Sequence, residues 1–333
     1  MLEKTAAGAP SLRIGKFATQ LGVLAVIVVL AVIFARAQPT FLSWNTVALI
    51  FKYYSPVAVL ALGMTFVILT GGIDLSVGFL MMLLMFVMAG LWKGSGAPPA
   101  AALAGGFGAA LAIGGAVGAC VAVFRIPSFI VTLAVMVAAY GGALLISNNQ
   151  SISPLPPELE WLGGTDFPLL GTRFPVMLPA VLALYALAAL VLARTSYGRY
   201  VYAVGSNREA ARLNGVPVRW VELSAYVISA VCAWLAAVMQ MGVNHTADPK
   251  VALSDAFELN AIAMVVIGGT SLTGGRGGVG GTFLGFLLLA LLFNGLPMLG
   301  GQFGDTSWKK LVQGAVIFLG AALDAAQRRY WQR

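Results

Sequence analysis

Apolar residues run along this chain in long unbroken stretches, separated by short polar or glycine-rich interruptions. The stretches fall at about 17–35, 45–70, from Gly78 to about 92, 100–124, 128–146, 175–193, 220–242, 258–271, 282–299 and 306–325. Most approach the ~20 residues an α-helix needs to cross the hydrocarbon core of a bilayer. The strands of a membrane barrel would alternate apolar and polar residues, whereas these runs are continuous. The pattern predicts an all-α polytopic membrane protein with about ten transmembrane helices. Pro56 should kink the second, and glycine-rich segments at 71–78 and 274–281 should break others. No small-residue cleavage site closes the first run, so it is expected to stay as a span.

Composition agrees. The chain is 59% hydrophobic and only 10% charged, with a mean hydropathy of +0.90. An ordinary soluble domain is roughly 45–50% apolar and about 25% charged, so that class is excluded. A net charge of +8 would suit nucleic acid, but the lysines and arginines gather at the ends of apolar runs, as in membrane topogenesis. No nucleic-acid partner is expected. Lys4, Arg13, Lys16, Arg125, Arg276 and the arginines of 194–219 and the C-terminus would share one face. The loops 147–174 and 243–257 on the other face hold Glu158, Glu160, Asp166, Asp248 and Asp255. That asymmetry predicts both termini in the cytoplasm. Residues 1–16 and 326–333 read as cytoplasmic tails, and 17–325 as one transmembrane domain with a cytoplasmic loop at 194–219. Cys120 and Cys232 lie within apolar runs and read as small packing residues.

The island at 194–219 contains a punctuated short helix. Ser206 is positioned as N-cap with Glu209 three residues on, a capping box. The body spans 207–214, Gly215 supplies the stop, and Pro217 prevents resumption. Ala210, Leu213 and Asn214 fall on one face by their spacing. Such a face suits either a cleft in a partner protein or the anionic surface of a membrane.

The break at 71–78 places Asp74 beside a span. An aspartate inside a bilayer costs roughly 2.5–3.5 kcal/mol on insertion scales and normally faces protein or a watery cavity. Thr70, Asp74 and Ser76 therefore read as bordering a polar path, while Asp74 is also placed to cap the following helix. Asn260 and Asn294 read either as lining the same path or as interhelical hydrogen bonds. The break has an echo: Gly71-Gly72-Ile-Asp-Leu-Ser-Val-Gly78 and Gly268-Gly269-Thr-Ser-Leu-Thr-Gly-Gly275 share Gly-Gly-x-x-Leu-(Ser/Thr)-x-Gly, offset by 268 − 71 = 197 residues. Glycine-broken repeats are a recurring way to build a transport path.

No nucleotide-binding loop, hydrolytic triad or metal-ligand spacing occurs, so no catalytic residue and no metal site is expected. An ion-coupled transporter would need Asp74 as its coupling carboxylate, and no second intramembrane acid offers itself as a partner.

Three segments carry a family resemblance. They are Met64-Thr-Phe-Val-Ile-Leu-Thr-Gly-Gly-Ile-Asp-Leu-Ser-Val-Gly78, Gly198-Arg-Tyr-Val-Tyr-Ala-Val-Gly-Ser-Asn-Arg-Glu-Ala-Ala-Arg-Leu-Asn-Gly-Val216 and Ala261-Ile-Ala-Met-Val-Val-Ile-Gly-Gly-Thr-Ser-Leu-Thr-Gly-Gly275. In this order and spacing they resemble the membrane permeases of ribose-type ABC importers, over essentially the whole chain. The resemblance implies a multi-pass permease of the bacterial inner membrane, without enzymatic activity, paired with a second copy or a sister permease. It implies a cytoplasmic ATPase that binds ATP and Mg, no cofactor on the permease itself, and a periplasmic solute-binding protein. Sugars are the usual small-molecule cargo, and related members move autoinducer-2, nucleosides or branched-chain amino acids. Carried over by position, Gly205, Asn207, Arg208, Glu209, Ala210, Ala211, Arg212, Leu213, Asn214 and Gly215 would form the helix that couples to the ATPase. Where the family commonly has Gly-Gly-Asn, this chain has Gly205-Ser206-Asn207.

Overall fold

The computed structural model describes residues 9–169, 171–300, 307–308, 310–316, 318 and 322. Among them, eight segments are long and apolar enough to cross a membrane. These are α1 (Ala9–Ala37), α2 (Trp44–Leu69), α3 (Val77–Ser95), α4 (Pro99–Ala122), α5 (Ser128–Ser147), α7 (Met177–Arg194), α10 (Val218–Asn244) and α13 (Val279–Gly295) with a short 3-10 turn beyond it. They answer to the first seven expected spans and the ninth. The eighth is α12 (Phe257–Ile267), only 11 residues long. The expected tenth, at 306–325, lies largely outside the described residues.

Burial sorts these helices. From Ser55 to Leu69 every residue of α2 is buried, and α10 and α3 are buried over much of their length. A helix that is apolar all round belongs at the centre of a bundle. Leu21, Val137, Leu145, Leu187 and Leu190, on α1, α5 and α7, point outward, as residues facing lipid should. Glycine brings the central backbones together, as small residues do in membrane bundles. A Cβ on Gly63 of α2 would lie 2.9 Å from the Ser229 Cα of α10, and one on Gly118 of α4 would lie 2.8 Å from the Leu223 carbonyl oxygen.

The loop at 147–174, expected simply to face water, is folded. It contains α6 (Pro157–Gly164) and an antiparallel hairpin, β1 (Asp166–Leu169) with β2 (Thr172–Pro175), in which Asp166 pairs with Pro175 and Leu169 with Thr172. Its outer face mixes Glu158 with the exposed Trp161 and Leu169, while Leu155, Leu159 and Leu162 are buried beneath it and α6 packs on α10. Lys93 Nζ donates to the Ser153 carbonyl (3.1 Å), Lys52 lies 3.7 Å from Asp166, Thr172 donates to the Asn45 side chain, and Ile152 bridges to Ala247. The polar prolyl stretch concealed a three-leucine underside.

The glycine-broken segments return into the bundle. After α2 ends, residues 71–76 double back along it. Asp74 meets Ser229, which itself packs on Gly63, six residues or roughly 9 Å before the end of α2. Helix α3 therefore begins within the bundle. There Gly78 lies against Phe257 and Glu258 at the start of α12, which follows the short α11 (Val251–Asp255). Glu258 is only 8% exposed, and its Oε2 has no hydrogen-bond partner among the described residues. Besides Asp74 it is a buried acid that the apolar pattern did not reveal, because it sits where an exposed loop was expected to end.

Candidate functional site

The three segments singled out by sequence converge at one end of the bundle. At the close of α2, Gly71 adopts φ +87°, its N–H donates to the Ile68 carbonyl (2.9 Å) and that of Gly72 to Val67 (3.0 Å). At the close of α12, Gly269 adopts φ +85°, its N–H donates to Val266 (2.9 Å) and that of Thr270 to Val265 (3.1 Å). Both are the left-handed glycine stop with paired backward hydrogen bonds. The echo is thus one helix stop used twice, and its structural register is 269 − 71 = 198, one residue from the sequence alignment.

The two copies of the echo touch through the far end of the second. Gly275 N–H donates to the Leu69 carbonyl at 2.9 Å, and a Cβ on Gly274 would lie 2.9 Å from the Gly71 nitrogen. A third element, α8 (Ser196–Ser206), closes the junction: a Cβ on Gly205 would overlap the Leu69 carbonyl and lie 2.5 Å from the Gly275 nitrogen. Tyr202 adds a hydrogen bond to the Gly277 carbonyl (3.1 Å). Helix α8 was not foreseen; its mixture of polar and aromatic residues reads as loop until one face is seen packed.

The next helix, α9 (Arg208–Leu213), stands one residue inside each expected limit. Its N-cap is Asn207, not Ser206: Asn207 Oδ1 accepts from the N–H groups of Glu209 (3.1 Å) and Ala210 (2.9 Å). Ser206 is already the last residue of α8, so the extended backbone a cap requires falls on Asn207. Glu209 therefore completes no capping box. It pairs with Arg212 at 2.5 Å, and that hydrogen bond holds the Glu209 carboxyl below its ordinary pKa. Gly215, at φ +81°, closes α9, and Asn214 Nδ2 binds back to Ala210 O (2.8 Å).

Ala211 anchors this helix, at 5% exposure, whereas Leu213 is 74% exposed. Ala210, Arg212 and Asn214 also face outward. Arg208 does not present its charge. It turns back to grip Glu222 of α10 through Nε (2.6 Å) and a terminal nitrogen (3.0 Å). Sequence reasoning passed over Glu222 because a single acid in the first turns of an apolar run reads as an interfacial residue.

The residues expected along a path do not form one cluster. Asp74, 3% exposed, accepts from the Ser76 N–H (3.0 Å) and hydroxyl (2.6 Å) at Oδ1, and from the Ser229 hydroxyl (2.8 Å) at Oδ2. Asp74 was expected to cap α3, but the N-cap residue is Ser76 and no side chain caps that helix; Asp74 instead forms a local turn that holds Ser76 in place. The half-buried Thr70 donates to its own helix at Val67 O (2.8 Å). Asn260 donates to Asp255 O (2.8 Å) and leaves Oδ1 buried without a partner among the described residues. Asn294 lies in the last turn of α13, roughly 22 Å along that helix from the glycine junction. No group of three or more potential metal ligands occurs among the described residues.

The family described as branched-chain amino acid transport system / permease component matches residues 46–321. The chain belongs to that family. This permease is similar to the ribose import permease of Escherichia coli K12, 35% identical over 91% of this chain and 92% of that one. It is 33% identical to the ribose import permease of Bacillus subtilis, over 89% of each chain. A fructose import permease from Rhizobium meliloti is 35% identical over 85% of this chain and 79% of its own. No solved structure matches the permease. Its apolar helices and its family make it a multi-pass protein of the inner membrane and the permease component, not the catalytic one, of an ABC importer.

Proposed function

We propose that this permease is the membrane-spanning subunit of an ATP-driven sugar importer, and that α9 is the helix docking into its ATPase. The observation carrying this reading is Leu213, an apolar residue 74% exposed at the tip of a short helix whose base is fixed. Asn207 caps that base, Ala211 is buried under it, and Arg208 ties it to α10. A rigid, exposed, apolar-tipped helix is suited to a cleft in a soluble partner. ATP and Mg belong to that partner. A monosaccharide is favoured as cargo because the similar ribose and fructose permeases are named for sugars. A periplasmic binding protein would meet the outer face at α6 and the hairpin, and a second permease subunit would complete the path.

Purification of the tagged permease tests this. The ATPase should co-purify with the native chain, and Leu213→Asp should abolish that without removing the permease from the membrane. In proteoliposomes, uptake of radiolabelled ribose or fructose should require ATP, the ATPase and the binding protein. Uptake driven by an ion gradient alone would instead indicate a secondary transporter.

A further inference from the structure

In its first half helix α10 buries Glu222, which ties down the docking helix, and Ser229, for which docking alone has no use. With Tyr226 between them they are spaced i, i+4 and i+7, so all three lie on one face, at 9%, 2% and 0% exposure for Glu222, Tyr226 and Ser229. Each touches a different part of the apparatus. Glu222 grips Arg208 of α9 at 2.6 and 3.0 Å. The Tyr226 hydroxyl fills the space a side chain at Gly72 would occupy. Ser229 donates to Asp74 at 2.8 Å, and Asp74 in turn holds Ser76 at the head of α3. The face thus joins the coupling helix to the re-entrant segment, across roughly 10 Å of helix.

This helix is also poorly placed to bend. Gly114 and Gly118 of α4 bring that helix onto its backbone at Tyr226, Val227 and Leu223, and Gly63 of α2 brings another onto Ser229. The glycine junction packs α8 against Leu69 and Gly71, where residues 71–76 begin. The side-chain bonds that lead from α9 to Asp74 itself run through α10.

We propose that this face of α10 is the rigid link through which displacement of α9 by the ATPase reaches residues 71–76 and the head of α3. Glu222 is the positioning residue that fastens α9 to it. The proposal rests on the reading of α9 as the docking helix. Lying between two sites does not establish coupling; a shared effect on both does.

The test is a double-mutant cycle in proteoliposomes containing the complete importer, scored as radiolabelled sugar accumulated per ATP hydrolysed. The probe is ribose, or fructose if that is what the native complex accumulates. Glu222→Gln and Ser229→Ala should each lower this ratio about tenfold, in the usual range of coupling effects, while the Asn207 cap and the buried Ala211 keep α9 formed and the ATPase still co-purifies. The double variant should be no worse than the poorer single. Losses that multiply to about a hundredfold, or a ratio unchanged in either single, would overturn the link. Loss of ATPase binding in Glu222→Gln would also overturn it, since the ion pair would then only shape the docking helix; failure of the native chain to retain an ATPase would instead refute the docking reading. Should Ser229→Ala not accumulate in the membrane, the exchange Arg208→Glu with Glu222→Arg decides. A ratio restored relative to Glu222→Gln supports the link, and one left low with the ATPase bound refutes it.

Discussion

Asp74 shows how a single side chain supports two readings until its neighbours are known. An acid beside a glycine break suggests a polar path, yet each of its oxygens is taken by a protein donor: Ser76 twice and Ser229 once. Losing the acceptor would strand buried donors, at about 1–3 kcal/mol for each one left unpaired. Asp74→Ala should therefore lower the melting temperature of the purified permease by several degrees. Asp74→Asn keeps an acceptor at Oδ1 and can donate to the Ser229 oxygen, so it should melt close to the native protein and retain ATP-driven uptake. Native stability with lost uptake in Asp74→Asn would assign the negative charge itself a role in transport. Residue type and position made Asp74 conspicuous. Ser229, 155 residues away, was invisible as its partner because a serine in an apolar helix has no distinguishing pattern.

At the level of elements, punctuation read better than packing. Gly215 and Pro217 mark the end of α9 in any context, since their conformational limits are local. The N-terminal cap was misplaced by one residue because Ser206 is a good cap in isolation but is occupied as the last turn of α8. The glycine echo was legible as a pattern; that its two copies touch one another and α8 was not. Gly205 and Gly215 separate these kinds of information. A Cβ at Gly205 would run into the backbone of Leu69 and Gly275, whereas at Gly215 it would meet open space and only the strain of φ +81°. Gly215→Ala should cost about 1–2 kcal/mol of local helix-end stability and leave the complex assembled. Gly205→Ala has rigid backbone on two sides and should sharply reduce the amount of folded permease in the membrane, measured by detergent extraction and size-exclusion profile.

For the whole molecule, the orientation we propose from charge is directly testable. The arginines of 194–219 and the acids of 147–174 lie at opposite ends of the bundle, and α6 stands at the end remote from the glycine junction. In a background lacking Cys120 and Cys232, Trp161→Cys on α6 should react with a membrane-impermeant maleimide in spheroplasts. Leu213→Cys on α9 should react only in inverted vesicles. Both positions are exposed, at 51% and 74%, so a reversed pattern would overturn the N-in arrangement.

Membrane class, eight of the ten expected spans and the limits of α9 to within one residue at each end were legible in the linear chain. Each depends on properties that act locally: the length of an apolar run and the backbone angles open to glycine and proline. The meeting of Gly71, Gly205 and Gly275, the return of 71–76 along α2, the burial of Glu258 and the line from Arg208 through Glu222 to Ser229 and Asp74 emerged only in three dimensions. These depend on which helices approach closely enough for backbone to touch backbone. Apolar helices in a bilayer leave that choice to shape and a few hydrogen bonds, because lipid satisfies their surfaces as readily as a neighbouring helix does.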